Sequence, residues 1–202
     1  MLDLARLVTM NTQVLKELPL EEVLAVHPLL DLSNVPFQTC YKTQPIKAKP
    51  ISSILNDNSV FAKMVIATLE GHEAVKANAF VCWGIDNDIW QQTGKKLHDK
   101  YTPTSVDEDG WVHFEPKPDT PVKGVQITQE VIDRHGLALG PFGGWAVLNP
   151  SWGDERVLDG KQVWLQYGVV NDFVMQGIGD ARDLYRVANK FWQNTYSYQP
   201  KS

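Results

Sequence analysis

The sequence predicts an α+β fold: two tandem copies of a small antiparallel β-sheet module with short helices, preceded by an N-terminal helical segment. Three observations predict it. The first is internal similarity at a long period, the mark of a duplicated folding unit. Asn78-Ala79-Phe80-Val81-Cys82-Trp83-Gly84-Ile85 lies over Asn171-Asp172-Phe173-Val174-Met175-Gln176-Gly177-Ile178, with Asn, Phe, Val, Gly and Ile identical. Upstream, Leu69-Glu70-Gly71 meets Leu158-Asp159-Gly160, and Pro45-Ile46-Lys47 meets Pro121-Val122-Lys123. Downstream, Asp88-Ile89-Trp90 meets Asp183-Leu184-Tyr185, and Lys95 and Tyr101 meet Lys190 and Tyr196. The offset grows along the chain, so the second copy carries loop insertions, which loops tolerate. The second observation is a series of β-branched and aromatic runs separated by tight polar turns. The third is that helical periodicity is confined to the N-terminus and to short stretches of each module.

The elements follow in order. Leu4, Leu7, Val8, Val14, Leu15 and Leu18 form one helical stripe, which Pro19 stops or restarts. Residues 20–30 form a second short helix, with Glu21 and Glu22 in its first turn and Pro28 ending it. Nothing like this precedes the second copy. Residues 1–44 are therefore an N-terminal helical appendage, packing on the modules or offering its Leu/Val face to a partner.

The modules span 45–104 and 121–202. Each opens with an extended segment, Pro45 to Ile51 and Pro121 to Ile127. In the second copy Thr128 caps a helix over Gln129–His135, closed by Gly136; in the first, Ser52 or Ser53 begins a shorter turn. Phe61–Thr68 and Trp145–Leu148 are strands, and Leu69-Glu70-Gly71 and Leu158-Asp159-Gly160 are hairpin turns. The strongest strands are Ala79–Ile85 and Asp172–Ile178. Polar corners at Asp86-Asn87 and Gly179-Asp180 lead to return strands, Asp88–Gln92 and Asp183–Val187, and then to short helices ending at Tyr101 and Tyr196. Residues 105–120 are a linker with Pro116 and Pro118, in which Gly110–Phe114 alternates as a strand does.

Composition narrows the function classes. Apolar residues at 43% and charged residues at 21% are ordinary for a globular protein with a proper core. A net charge of −5, with no run of Lys or Arg, argues against duplex nucleic acid, which calls for a basic face. Cys40 and Cys82 are the only cysteines, read as reduced thiols of a cytoplasmic protein. Asp3, Arg6, Lys16 and Glu17 interrupt the early leucines, so no signal peptide or membrane span is expected there.

Catalytic and metal signatures are missing. His27, His72, His98, His113 and His135 are scattered, whereas zinc needs three or four converging ligands. Asp86-Asn87-Asp88 begins like a calcium loop but lacks the later Gly and terminal Glu. Gly140-Pro141-Phe142-Gly143-Gly144 lacks the Lys and Ser/Thr of a phosphate cradle and reads as a turn letting Trp145 enter the sheet. Asp107-Glu108-Asp109 reads as a solvated linker face. The aromatics carry more information. Trp90 and Tyr185 are equivalent and suit a shared core, whereas Trp83 faces Gln176 and Val75 faces Trp164 across the alignment. Positions aromatic in one copy alone are candidates for a copy-specific surface.

The recurring C-terminal pattern is an aromatic strand, a Gly corner, a return strand and a helix ending in Tyr. Together with the Pro45-Ile46-Lys47-Ala48 and Pro121-Val122-Lys123-Gly124 openings, it resembles the PGDYE-type modules of phages and prophages. Phe191-Trp192-Gln193-Asn194-Thr195-Tyr196 matches that ending closely and Leu97-His98-Asp99-Lys100-Tyr101 less so; the Pro-Gly-Asp-Tyr signature itself is replaced by Asn78-Ala79-Phe80 and Asn171-Asp172-Phe173. The resemblance implies a phage or mobile-element context and no particular activity. The expected function is a non-enzymatic interaction protein that binds a protein partner or self-associates in the bacterial cytoplasm, with no cofactor and no metal. The alternatives are a protein binding or sequestering a nucleotide or metabolite in a pocket between the modules, and an enzyme with an unrecognised site.

Overall fold

The computed structural model describes residues 15, 17–54, 65–68, 71–76, 78–85, 88–150, 153–177 and 179–200. The helical stripe before Leu15, the start of the run at Phe61, turn residues Leu69 and Glu70, the Asp86-Asn87 corner, Trp152 and Ile178 lie outside them. Contacts divide the chain into unit 1, Met1–Cys40 with Pro121–Gln193, and unit 2, Tyr41–Thr120 with Asn194–Ser202.

In chain order the elements are α1 (Leu20–Val26), β1 (Gln38–Lys42), β2 (Ile46–Pro50), α2 (Ile51–Ile54), β3 (Val65–Thr68), β4 (Gly71–Ala74), β5 (Ala79–Trp83), β6 (Ile89–Thr93), α3 (Gly94–Lys100), β7 (Tyr101–Val106) and β8 (Val112–Pro116). Then come β9 (Val122–Gln126), α4 (Gln129–His135), β10 (Gly144–Asn149), β11 (Asp154–Leu158), β12 (Lys161–Val169), β13 (Phe173–Gln176), β14 (Leu184–Val187), α5 (Asn189–Thr195) and β15 (Tyr196–Ser197). Local chemistry sets several boundaries. The Thr128 hydroxyl accepts the Val131 N–H at 3.3 Å to cap α4, and Gly136 closes it in the left-handed region at φ 62°. Thr93 caps α3 in the same way. Asp159 and Gly160, both at positive φ, make the two-residue turn between β11 and β12 that the Asp-Gly pair favours.

The fold is α+β, and the duplication is visible in it. Two five-stranded antiparallel sheets have the orders β6-β5-β2-β8-β7 and β14-β13-β9-β1-β15, alongside a three-stranded sheet β10-β12-β11 and the hairpin β3-β4. The two five-stranded orders correspond place by place. Registers agree to the residue: Pro50–Phe80–Gln92 answers to Gln126–Phe173–Val187, and Cys82–Trp90 to Met175–Tyr185. Backbone closures repeat as well. The Gly84 N–H donates to the Asp88 carbonyl at 2.8 Å, and the Gly177 N–H to that of Asp183 at 2.7 Å. Only the hairpin slips: Thr68 pairs with Gly71 and Leu158 with Lys161, so Trp164 answers to Ala74 rather than Val75.

Two expectations about the ends of the modules change. The stretch 1–44 holds a strand, β1, which stands in the second copy's sheet at the place β8 holds in the first. The strand expected within 105–120 is present as β8, and it pairs with β7 around the Asp107–Gly110 turn, so the stretch belongs to the first sheet rather than only joining the copies. A strand whose partner lies far along the chain carries little local signal.

In unit 1 the core joins Val125, Ile127 and Val174 to Trp145 and Val147, with Ile132 and Leu137 from α4 and the turn after it. On the other face of that sheet Phe173 stacks on Trp192 at 4.2 Å. Gly124 leaves room there for Met175, since a Cβ would lie 2.6 Å from the Met175 sulfur and 3.2 Å from that of Cys40 and would displace the methionine. Helix α1 buries Val23 and Val26, with Leu15, Leu18 and Tyr167 clustered on Val26, so α1 and the described residues just ahead of it pack within unit 1. In unit 2 the core is Ile46, Ala48, Cys82, Leu97, Tyr101 and Phe114, flanked by Phe80 and Trp90. Among the described residues no helix is long and apolar enough to cross a membrane.

Candidate functional site

Two groups of side chains in unit 2 could carry chemistry or recognition. The first lies on the sheet face opposite α3. Alternation along β2, β5 and β8 puts Lys47, Trp83 and His113 on one side of the sheet. The register lines them up in one cross-strand row, His113–Lys47–Trp83–Ile89. Trp111 joins the row from the β7–β8 loop, its ring 5.8 Å from that of Trp83 and nearly perpendicular at 77°. The Lys47 ammonium sits 4.2 Å from the Trp83 ring centre and 5.3 Å from that of Trp111, within cation–π range of both.

The loop that aims Trp111 is closely tied. The Asp107 carboxylate accepts the Trp111 N–H at 2.8 Å, and Asp107 and Trp111 also exchange a backbone bond at 2.9 Å. Gly110 takes φ 78°, which a side chain resists. The Trp111 amide above all, and then His113 with Nε2 3.4 Å from Oδ2, holds the Asp107 carboxyl below its usual range. Lys49 donates to the Asp109 carbonyl at 2.6 Å from beneath. The acidic stretch is solvated at Glu108 and Asp109, as the sequence suggests, and its Asp107 also frames the tryptophan.

The second group lies on the α3 face. The Lys42 ammonium stands 4.7 Å from the Tyr196 ring and 5.5 Å from the Tyr101 ring. Cys82 is fully buried and takes a hydrogen bond from Gln92 at 3.2 Å; burial pushes its thiol up to about 12. Cys40, which belongs to unit 1, is likewise raised by burial, to about 11. Thiols this high stay protonated near neutral pH, so neither suits nucleophilic work. Asp88 is the titratable outlier: burial raises its carboxyl to about 6, against the lowering pull of Lys42. A carboxyl whose folded value lies above its unfolded value costs stability once ionised. That cost is absent below pH 4 and complete above about pH 6. Asp88→Asn is expected to raise stability at pH 7.5 by about 1–2 kcal/mol, discounted because Asp88 is partly exposed. Urea denaturation at pH 3.5 should show the gain vanish, and an equal gain at both pH values would refute the burial argument.

The remaining residues singled out in the sequence are dispersed. His98 meets Phe114 edge-on at 5.6 Å, His135 ends α4, and His27 is buried beside Tyr167. Among the described residues no three metal-ligating side chains stand together. Gly140–Gly144 is a turn into β10, with Gly143 at φ 76° and its N–H on the Gly140 carbonyl. Trp90 packs in the unit 2 core, Trp164 is half-buried on β12, and Lys95 pairs with Asp99 on the surface of α3. The sequence flagged Trp83 through its mismatch with Gln176, but nothing local pointed to Trp111 or Lys47 as its companions. No family model, no curated protein and no solved structure matches this chain.

Proposed function

We propose that the chain is a non-enzymatic interaction protein in which unit 2 presents the Trp83–Lys47–Trp111 face to a protein partner. One observation carries this reading. The row His113–Lys47–Trp83 in unit 2 has its equivalent in unit 1 as Thr39–Lys123–Gln176. There Thr39 and Lys123 are exposed and the half-buried Gln176 donates to the Ala181 carbonyl at 3.1 Å, so the same backbone positions are met by polar side chains with no indole. The module does not need an indole at this place. Two half-exposed tryptophans around an ammonium are instead the composition of an interface hot spot, and indoles left in water favour any partner that covers them. The resemblance to PGDYE-type modules adds the setting, a phage or mobile-element protein acting in a bacterial cytoplasm.

The test is affinity capture from bacterial extract with the chain and with Trp83→Gln/Trp111→Phe, which writes unit 1's residues Gln176 and Phe37 into unit 2. A stoichiometric partner should be recovered by the first and bind the second at least about thirtyfold more weakly, as hot-spot residues do. Light scattering reports self-association through the same face. A strictly monomeric chain that captures nothing, or a partner indifferent to the double substitution, removes the reading.

A further inference from the structure

The strongest unexplained group outside that face is His27, in unit 1. It caps the C-terminus of α1, its N–H on the Val23 carbonyl at 2.8 Å, and only 3% of it is exposed. Its ring is wedged against strand β10, where a Cβ at Gly144 would lie 2.8 Å from Cδ2 and 3.0 Å from Nε2. The Tyr167 ring of β12 stands 5.2 Å away. Nδ1 is buried without a hydrogen-bond partner. Immediately after it the chain bonds to β10: the Ala146 N–H donates to the Pro28 carbonyl, and the Leu30 N–H to that of Ala146, both at 2.9 Å.

We propose that this contact is an acid-released latch: proton uptake by the His27 imidazole loosens α1 and the strand-like segment after it from β10 and β12. A neutral ring fits the site. An imidazolium carries two N–H donors and a full charge, and a buried cation without a partner is strongly disfavoured.

Among the described residues, the charged and titratable groups on the surrounding elements offer no counter-ion. On β11 the Asp154 carboxylate is held by Arg156 at 2.9 Å and by the Tyr167 hydroxyl at 2.5 Å. Tyr167 is the only such group that β12 brings against the ring, and the described residues of β10 and of the Gly140–Gly144 turn have none. Glu17, Glu21 and Asp31 are exposed, as is Glu22. Burial accordingly lowers the affinity of His27 for a proton below its ordinary value. The sign follows. The released segment takes up the proton near pH 6.5 and the docked one only at lower pH, so docking is fully favoured above 6.5 and weakens as pH falls below it.

Hydrogen exchange of the whole chain between pH 7.5 and 5.5, corrected for intrinsic rates, tests this. The Leu30 and Ala146 amides should open up to about tenfold more often per pH unit below 6.5, the limit for one proton. The Val174 amide of β13 should not change, and in His27→Gln the pH slope should flatten whatever the basal opening. Parallel acceleration at Val174 would mean that the whole unit unfolds, which overturns the latch. So would a slope that survives in the variant. Should the variant fail to fold, the unaltered chain decides: opening at Leu30 and Ala146 that follows the His27 imidazole titration below 6.5 supports the latch, and opening that does not follow it, or titration at or above 6.5, refutes it.

Discussion

Asp172→Ala is expected to cost unit 1 about 3–5 kcal/mol, the range for stripping one partner from a buried ion pair. Its carboxylate is 5% exposed as a residue and serves four donors. Arg186 binds Oδ2 through Nε at 2.9 Å and Nη2 at 2.7 Å. The Val169 N–H reaches the same oxygen at 3.3 Å, and the Asn189 N–H, opening α5, reaches Oδ1 at 3.1 Å. One side chain thereby ties the end of β12, the middle of β14 and the start of a helix. Removing it strands a largely buried guanidinium and leaves two amides to find water.

The duplication supplies the control. In unit 2 the equivalent positions are Ala79 and Gln91, an uncharged solution to the same place in the sheet. Asp172→Ala/Arg186→Gln writes that pair into unit 1 and should restore at least half of the loss, because no charge is left unpaired. Urea denaturation of the single and double variants measures both. A single variant within about 1 kcal/mol of the parent would show that the network is decorative.

That comparison also explains what the sequence could and could not disclose. Asn78 to Ile85 align with Asn171 to Ile178 because both copies need the same central strand, with Phe80 and Phe173 in matching register and a glycine where the Gly84 and Gly177 N–H groups donate the bond that closes the hairpin. Such constraints act within one hairpin, so they leave a local trace. The cap at Thr128 and the stop at Gly136 were legible for the same reason. Strand β1 was not, since Gln38-Thr39-Cys40 pairs with β9, far along the chain. The candidate face was half legible: Trp83 stood out against Gln176, whereas Trp111 and Lys47 reach it only through the register of β8 on β2 and the fold of the Asp107 loop. The Asp172–Arg186 pair left no sign at all, because each residue alone reads as an ordinary polar position in a turn or strand.

Arg156→Leu should be as damaging as Asp172→Ala, about 3–5 kcal/mol, yet its loss falls into two separable parts. Arg156 is mostly buried and pairs with Asp154, which is 2% exposed, at 2.9 Å. It also donates to the Leu18 carbonyl at 2.6 Å and to that of Leu15, fastening the chain ahead of α1. Leucine leaves the Asp154 carboxylate buried with only the Tyr167 hydroxyl, and two carbonyls without their donor. Adding Asp154→Leu removes the stranded charge, so most of the global stability should return in urea denaturation, as when buried ion pairs are replaced by apolar groups. The carbonyls stay unserved in that double variant. Hydrogen exchange around Leu18 and Glu22 should therefore remain faster than in the parent even after global stability is recovered. If the double variant restores protection there as well, Arg156 acts only through Asp154, and the N-terminal segment is held by the apolar packing of Leu15, Val23 and Val26 alone.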